Sequence, residues 1–144
     1  MSVEGLCTFL SSINPQLSSY LLIGLGGALG TVARFWLSGF VAARAGETFP
    51  LGTLVINITG SFIIGFFATL TDPSGRMLAP VQLRQFFMIG ICGGYTTFSS
   101  FSLQTLNLAR DGEWAYAALN IVLSIVLCLA GVWLGHALAE MINK

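Results

Sequence analysis

Charged side chains are scarce in this sequence: only 8% of its 144 residues are Asp, Glu, Lys or Arg, against about 25% in soluble globular domains. The six basic and six acidic residues balance, so there is no basic excess with which to hold a nucleic acid. Hydrophobic residues make up 55% of the chain. This composition predicts a protein embedded in a lipid bilayer rather than a soluble domain.

Residues that catalyse reactions or bind metals are also rare. The chain has one histidine, and its three cysteines, Cys7, Cys92 and Cys128, lie at spacings that fit no metal site. Cys92 and Cys128 fall inside apolar stretches, where cysteine behaves as a small apolar residue. A single histidine and scattered carboxylates cannot assemble a hydrolytic triad. We therefore expect the protein not to be an enzyme.

Four long apolar segments are the main feature of the chain. Each has about 20–25 residues, the length that a helix needs to cross about 30 Å of hydrocarbon. Most charges, with Pro50, Pro73 and Pro80, fall in or beside the loops between them. We predict an all-α membrane protein with one domain over residues 20–144. Residues 1–19 are interpreted as a lead-in, for which an interfacial helix is one option. The predicted spans are residues 21–43, 51–70, 86–108 and 114–138.

Basic residues are almost evenly divided between the two faces of the membrane. Four spans place both termini on one side, together with Arg76, Arg84 and Lys144. Arg44 and Arg110 lie on the other side. Because an excess of Lys and Arg in loops orients a membrane protein, this near balance indicates insertion in both orientations, which permits an antiparallel dimer. A single orientation set by other features is the alternative.

Polar residues inside the second and fourth spans form two lines. Each line has i, i+4, i+8 spacing, which places its members on one helix face. The lines consist of Thr53, Asn57 and Ser61 in the second span and Asn120, Ser124 and Cys128 in the fourth. Polar groups in hydrocarbon either face a water-filled path or hydrogen-bond to neighbouring helices. We interpret Asn57 as functional, whereas Thr53 and Ser61 fit interhelical bonding better and Cys128 fits packing.

The third span contains the run Gly93-Gly94-Tyr95-Thr96-Thr97. Each glycine weakens a helix by about 1 kcal/mol, so the run predicts a break near Gly93 to Thr96. Backbone carbonyls freed by a break are tolerated in a membrane where they line a cavity, and there they can coordinate a cation. The alternative is an unbroken helix whose glycines allow close packing.

Aromatic and hydroxyl residues follow this run. Phe98 and Phe101 are three residues apart and share a helix face, and Ser99 and Ser102 form a neighbouring pair. Positive ring edges and hydroxyl donors together can accompany a small anion. Phenylalanine pairs at this spacing are also common as ordinary core or lipid-facing residues, and that interpretation stays open.

Arg34 is the one charged residue inside a predicted span. Its side chain either extends to the membrane surface or attracts anions into a vestibule. Before it, Gly26 and Gly30 form a GxxxG pattern, which predicts close contact with another helix.

Two segments have a specific sequence: Gly-Thr-Leu-Val-Ile-Asn at residues 52–57, and Gly-Gly-Tyr-Thr-Thr-Phe-Ser-Ser-Phe-Ser at residues 93–102. They closely resemble the signature segments of the bacterial fluoride channels of the CrcB/Fluc family. The glycine-rich first span ending in Arg34 also fits, and the resemblance extends over the chain from Tyr20 onward.

The resemblance implies an architecture and a cofactor. Members of this family are dual-topology, antiparallel homodimers with two fluoride pores, and they lie in the bacterial inner membrane. Their third helix is broken, and its backbone carbonyls hold a structural sodium ion, which is not transported, at the dimer centre. By position, those carbonyls belong to Gly93 and Thr96.

The resemblance also implies which side chains line the pore. The pore phenylalanines of the family match Phe98 and Phe101, its pore asparagine matches Asn57, and a hydroxyl line on its last helix matches Ser124. Its first-helix arginine matches Arg34.

We also assign Ser102 and Gln104, which follow the break in the third span, to the predicted fluoride pathway. Ser102 supplies a hydroxyl donor. Many family members have a glutamate where this chain has Gln104, and an amide at that position can hydrogen-bond but cannot titrate. The substitution argues against a proton-linked role there.

These observations predict a passive, fluoride-selective channel that exports fluoride from the cytoplasm. Its expected partners are fluoride, the lipid bilayer and a second copy of the chain. The alternative is a small dual-topology drug or cation exporter. A proton-coupled exporter needs a carboxylate inside the membrane, and none of the four predicted spans contains one, which disfavours this alternative.

Overall fold

The computed structural model describes residues 15–46, 48–73, 75 and 77–144, with the side chain of Pro15 left out. All regular elements of these residues are helical. Helices α1, α2 and α6 are continuous, and the third span is composed of several pieces. The elements are α1 (Pro15–Ala45), α2 (Leu51–Leu70), α3 (Val81–Arg84), a π-helix (Gln85–Cys92), α4 (Gly93–Tyr95), α5 (Phe98–Arg110) and α6 (Trp114–Asn143).

Four helical segments are long and apolar enough to cross a membrane, which confirms the predicted number of spans. The second has the predicted bounds, whereas the other three extend further, over residues 16–45, 81–110 and 114–143. Helix α1 begins at Pro15, inside the segment interpreted as a lead-in. Residues 1–14, and with them the option of an interfacial helix, lie outside the described residues.

Glycine and proline mark the helix boundaries. Gly46 follows α1 with a φ of +78°, and Gly112 separates α5 from α6 with a φ of +82°. These left-handed conformations are open to glycine without steric cost. Pro50 and Pro80 stand immediately before α2 and α3, where the missing N–H of proline does not interrupt a helix.

The spans form two closely packed pairs. Helix α1 packs against the π-helix and α4, and α2 packs against α6. In the first pair, a Cβ added to Gly26 would lie 2.6 Å from the Phe86 carbonyl oxygen, and one added to Gly30 would overlap the Ile91 carbonyl oxygen. The close contact predicted from the GxxxG pattern is therefore confirmed, since only glycine leaves room for these backbones.

The third span is broken, as predicted, but at Thr96 and Thr97. Gly93 and Gly94 remain helical, whereas Thr96 (φ −80°, ψ 157°) and Thr97 (φ −152°, ψ 105°) are extended. The β-branched threonines favour extended backbone. Gly94 instead serves the close packing that was the alternative interpretation, because an added Cβ there would overlap the Gly27 carbonyl oxygen.

Candidate functional site: a polar cavity at the helix break

A cavity of about 460 Å³ lies between α2, the broken third span and α6. Most of its lining is apolar, with a small number of hydrogen-bonding groups and, among the described residues, no charged side chain. Such a composition is typical of a site that accepts a small ligand through a few oriented donors. Its lining residues include Asn57, Gly60, Ser61, Met88, Cys92, Gly93, Thr96, Thr97, Phe98, Phe101, Ser124 and Cys128.

Each of the two polar lines contributes two of its three members to this cavity. Asn57 and Ser61 of α2 line it, as do Ser124 and Cys128 of α6. The remaining members, Thr53 and Asn120, are buried elsewhere. Thus the lines predicted from helical spacing converge on one cavity, but only along the part of each helix that faces the break.

Asn57 is bonded to both backbone groups of Thr97. Its Oδ1 accepts from the Thr97 N–H at 2.8 Å, and its Nδ2 donates to the Thr97 carbonyl oxygen at 3.1 Å. Extended backbone inside a membrane leaves such groups without helical partners, at a cost of several kcal/mol each. The Asn57 amide therefore stabilises the break, and its second N–H is not used by these two bonds.

The side chain of Thr97 completes the break by capping α5. Its Oγ1 accepts from the Ser100 N–H at 3.2 Å, which is the N-cap arrangement preferred by threonine. Close approach by α2 also depends on Gly60, because an added Cβ there would overlap the Thr96 Cγ2. Asn57 and Gly60 lie on the same face of α2. Asn57 hydrogen-bonds to the extended segment, and Gly60 leaves the space that this segment occupies.

Gly93 and Thr96 are among the residues whose backbone carbonyls lose their helical donors at the break. In an α-helix the carbonyl of residue i accepts from the N–H of residue i+4. The Thr97 N–H would serve Gly93 but is bonded to Asn57, and the Ser100 N–H would serve Thr96 but is bonded to the Thr97 hydroxyl. Gly93 and Thr96 are the two residues whose carbonyls were predicted to hold the sodium ion.

The two predicted pore phenylalanines lie side by side at the start of α5. Their ring centroids are 5.3 Å apart with an interplanar angle of 50°, and both line the cavity. Phe98 is 78% exposed, and Gly93 beside it in the lining is exposed as well. The cavity therefore has an open side along these two residues.

Three of the predicted site residues do not line this cavity. Ser102 is exposed, and its hydroxyl donates to the Phe98 carbonyl of its own helix at 2.9 Å. Gln104 is half-buried, and its Oε1 has no hydrogen-bond partner among the described residues. Arg34 is half-buried on α1. The roles predicted for these three residues remain predictions.

Three features in and near the site were not predicted from the sequence. Thr97 bonds to Asn57, which is 40 residues away in the chain, and no local pattern identifies such a contact. The capping role of Thr97 has a weak signal, a threonine at the start of the segment after the break. The bond between Asn120 and Thr105 has none.

Known proteins support a family assignment over the same region. Residues 21–136 match the family described as CrcB-like protein, Camphor Resistance (CrcB). A Rhodospirillum rubrum protein named fluoride-specific ion channel FluC is 62% identical over 126 residues, covering 88% of this chain and 98% of its own length. A protein of the same name from Opitutus terrae is 65% identical over 128 residues, covering 89% and 97%. The chain therefore belongs to the CrcB family.

Proposed function

We propose that this protein is a passive, fluoride-selective ion channel. The observation that carries the proposal is the cavity at the helix break, where uncharged N–H and O–H donors and phenylalanine rings meet, with no carboxylate among the described residues that line it. Relatives that are more than half identical to this chain are named fluoride-specific ion channels, and the cavity lies in the region that matches them.

The donors of the cavity suit a small, strongly hydrated anion. A pore must replace the water around such an ion with groups that point positive charge toward it. The free N–H of the Asn57 amide and the hydroxyls of Ser61 and Ser124 are donors of this kind. The edges of the Phe98 and Phe101 rings add positive partial charge without a proton to lose.

Conduction through such a path needs no energy source other than the electrochemical gradient. In the inner membrane of a bacterium, the interior is electrically negative, so the membrane potential drives an anion outward. A fluoride-selective pore would therefore lower the fluoride concentration in the cytoplasm. This direction follows from the potential and does not depend on the orientation of the protein.

We further propose that two copies of the chain form an antiparallel homodimer. The open side of the cavity, at Phe98 and Gly93, needs a cover in the membrane. Outside its chain neighbours and its own helical turn, a Cβ added to Gly93 would meet no atom of the described residues closer than the Met88 carbonyl oxygen at 3.9 Å. The nearly balanced basic residues permit both insertions, and a two-fold axis in the membrane plane would bring the same surface of both copies together.

A structural sodium ion fits the carbonyls of Gly93 and Thr96, both of which lost their helical donors. Hard cations prefer oxygen ligands, and uncharged backbone carbonyls hold alkali cations in other channels. Two carbonyls are too few to replace the hydration shell of a sodium ion. A second copy related by a two-fold axis would supply two more carbonyl ligands. When bound, the ion would supply a fixed positive charge near the anion path.

The exporter alternative lacks the residue it requires. Within the described helices, Glu140 is the one acidic residue. It is exposed in the last turn of α6, and its Oε1 lies 3.6 Å from the Nε2 of His136. A carboxylate in the headgroup region cannot alternate between substrate and proton at the centre of the membrane. Proton-coupled export is therefore less well supported than a passive channel.

Fluoride efflux from liposomes tests the channel directly. Purified protein reconstituted into vesicles loaded with potassium fluoride should release fluoride when valinomycin provides a potassium conductance, and should release chloride from matched vesicles far more slowly. Protein-free vesicles are the control. Equal release of both anions, or no release of fluoride, would contradict the proposal.

Replacing sodium tests the structural cation. Protein purified and reconstituted with N-methylglucamine in place of Na⁺ should show reduced fluoride release, because the carbonyls of Gly93 and Thr96 would lack the cation proposed to bind them. Returning Na⁺ during reconstitution should restore release. Equal release with and without Na⁺ would count against the ion while leaving the channel itself intact.

A further inference from the structure

Helix α5 carries both pore phenylalanines, and within one chain none of its side chains, over residues 98–110, is fully buried. Among the described residues, its one side-chain hydrogen bond to another element joins Thr105 to Asn120 of α6. Because the side chains of α5 are at most half-buried within one chain, this bond is the specific contact that can fix the rotation of the helix about its own axis.

The bond is part of a directed chain that ends at a pore residue. Asn120 Nδ2 donates to Thr105 Oγ1 at 2.8 Å, and Thr105 Oγ1 donates to the Phe101 carbonyl oxygen at 2.8 Å. Because the threonine proton is used on Phe101, the hydroxyl is available to Asn120 only as an acceptor. Asn120 is 2% exposed, so its amide would lack a water partner if this bond were removed.

Both partners lie on the helix faces that form the cavity. Phe98, Phe101 and Thr105 have i, i+3, i+7 spacing and share one stripe of α5. Asn120 and Ser124 have i, i+4 spacing and share one stripe of α6. The bond therefore lies one turn beyond Phe101 on α5 and one turn before the cavity residue Ser124 on α6.

We propose that Asn120 and Thr105 are positioning residues, which act through Phe101 by setting the rotation of α5 against α6. Neither residue lines the cavity, so neither touches the ion. The inference rests on the proposed fluoride conduction. It gives Asn120, the first residue of the polar line in the fourth span, a role distinct from that of Ser124.

The test compares five variants in the fluoride efflux assay. Thr105→Val removes the hydroxyl with little change of shape, Asn120→Ala removes the donor, and the double variant removes both. Thr105→Ser keeps the hydroxyl. Asn107→Ala, an exposed amide on the same helix, is the matched control. At limiting protein, the efflux rate of each active vesicle is measured separately from the fraction of vesicles that are active.

We expect each single variant to lower the rate per active vesicle about tenfold, the effect of a bond worth about 1.4 kcal/mol. The double variant should be no slower than the slower single variant, because the two share one interaction. Thr105→Ser and Asn107→Ala should conduct at nearly the wild-type rate. The fraction of active vesicles should change little.

Several results would overturn the positioning role. They are an unchanged rate in Thr105→Val or Asn120→Ala, additive losses in the double variant, an equal loss in Thr105→Ser, or a loss that appears only as fewer active vesicles. The last would indicate a purely structural bond. A wild-type protein that releases no fluoride would refute the proposed function and this inference with it, whereas unchanged variants of a conducting wild type refute the inference alone.

Discussion

Asn57→Ala is expected to lower the fluoride efflux rate about 100-fold or more, because one residue both holds the helix break and presents a donor to the cavity. Removing one oriented hydrogen-bond donor from a site that stabilises negative charge costs about 100- to 1,000-fold in enzymes. Here the loss of the amide also releases the N–H and carbonyl of Thr97, which the Asn57 side chain holds at 2.8 and 3.1 Å.

The same variant should also destabilise the fold. The N–H and carbonyl of the buried residue Thr97 would be left without partners, at about 1–3 kcal/mol each, so unfolding in detergent should occur at a distinctly lower temperature. Asn57→Asp separates the two effects. A carboxylate keeps the acceptor for the Thr97 N–H but has no donor for the Thr97 carbonyl, so only the part of the stability due to the N–H bond should return. Its negative charge faces the anion path, and conduction should stay low.

Asn107→Ala again serves as the matched control, since it removes an exposed amide from α5. Both its efflux rate and its unfolding temperature should match those of the wild type. Wild-type conduction in Asn57→Ala would exclude the asparagine from the pathway, whatever its effect on stability.

The number and order of the spans could be predicted because they depend on quantities that the sequence states directly. Apolar length fixes a span, and Gly46, Pro50 and Pro80 mark where α1 ends and α2 and α3 begin. The second span has the predicted bounds. The others extend further because a helix can continue past the hydrocarbon into the interface, where charged residues such as Glu140 are tolerated.

The position of the break could be predicted only approximately. Glycine propensity favours a break at Gly93 and Gly94, but both are helical. The missing side chain of Gly94 is used for packing against Gly27 of α1. The chain opens at Thr96 and Thr97, where Asn57 can replace the lost helical bonds. Tertiary contacts therefore decided between positions that local propensity could not distinguish. The π-helix over residues 85–92 has no signal in the sequence pattern.

The polar lines show a similar limit at the site. Spacing on one helix identifies a face, but not which turn of that face meets the cavity. Ser61 and Cys128, for which bonding or packing was favoured, line the cavity, while Asn120 contacts Thr105 outside it. The rotation and the offset of α2 and α6 relative to the break determine which residues of each line reach the cavity. Both depend on glycine contacts such as that of Gly60 with Thr96.

Replacing both pore phenylalanines is the second change with a large expected effect. Phe98→Ile combined with Phe101→Ile should lower the fluoride efflux rate about 100-fold, because isoleucine fills space but has no positive edge to face an anion. The alternative, that the rings are ordinary apolar packing, predicts a different result. Swaps between apolar residues of similar size usually cost less than about 1.5 kcal/mol, and conduction would then continue.

A second ring pair in the same chain provides the control for this prediction. Phe62 and Phe66 are stacked on α2 with centroids 6.4 Å apart, and neither lines the cavity. The Phe62→Ile, Phe66→Ile variant therefore removes the same amount of aromatic surface without touching the proposed path, and it should conduct at nearly the wild-type rate. If both double variants conduct alike, or if Phe98→Ile with Phe101→Ile keeps the wild-type rate, ring edges play no part in moving the anion. If only the pair on α5 fails while its folding is intact, the phenylalanines act through their charge distribution, and the donors of Asn57 and Ser124 are not sufficient by themselves to carry fluoride past the break.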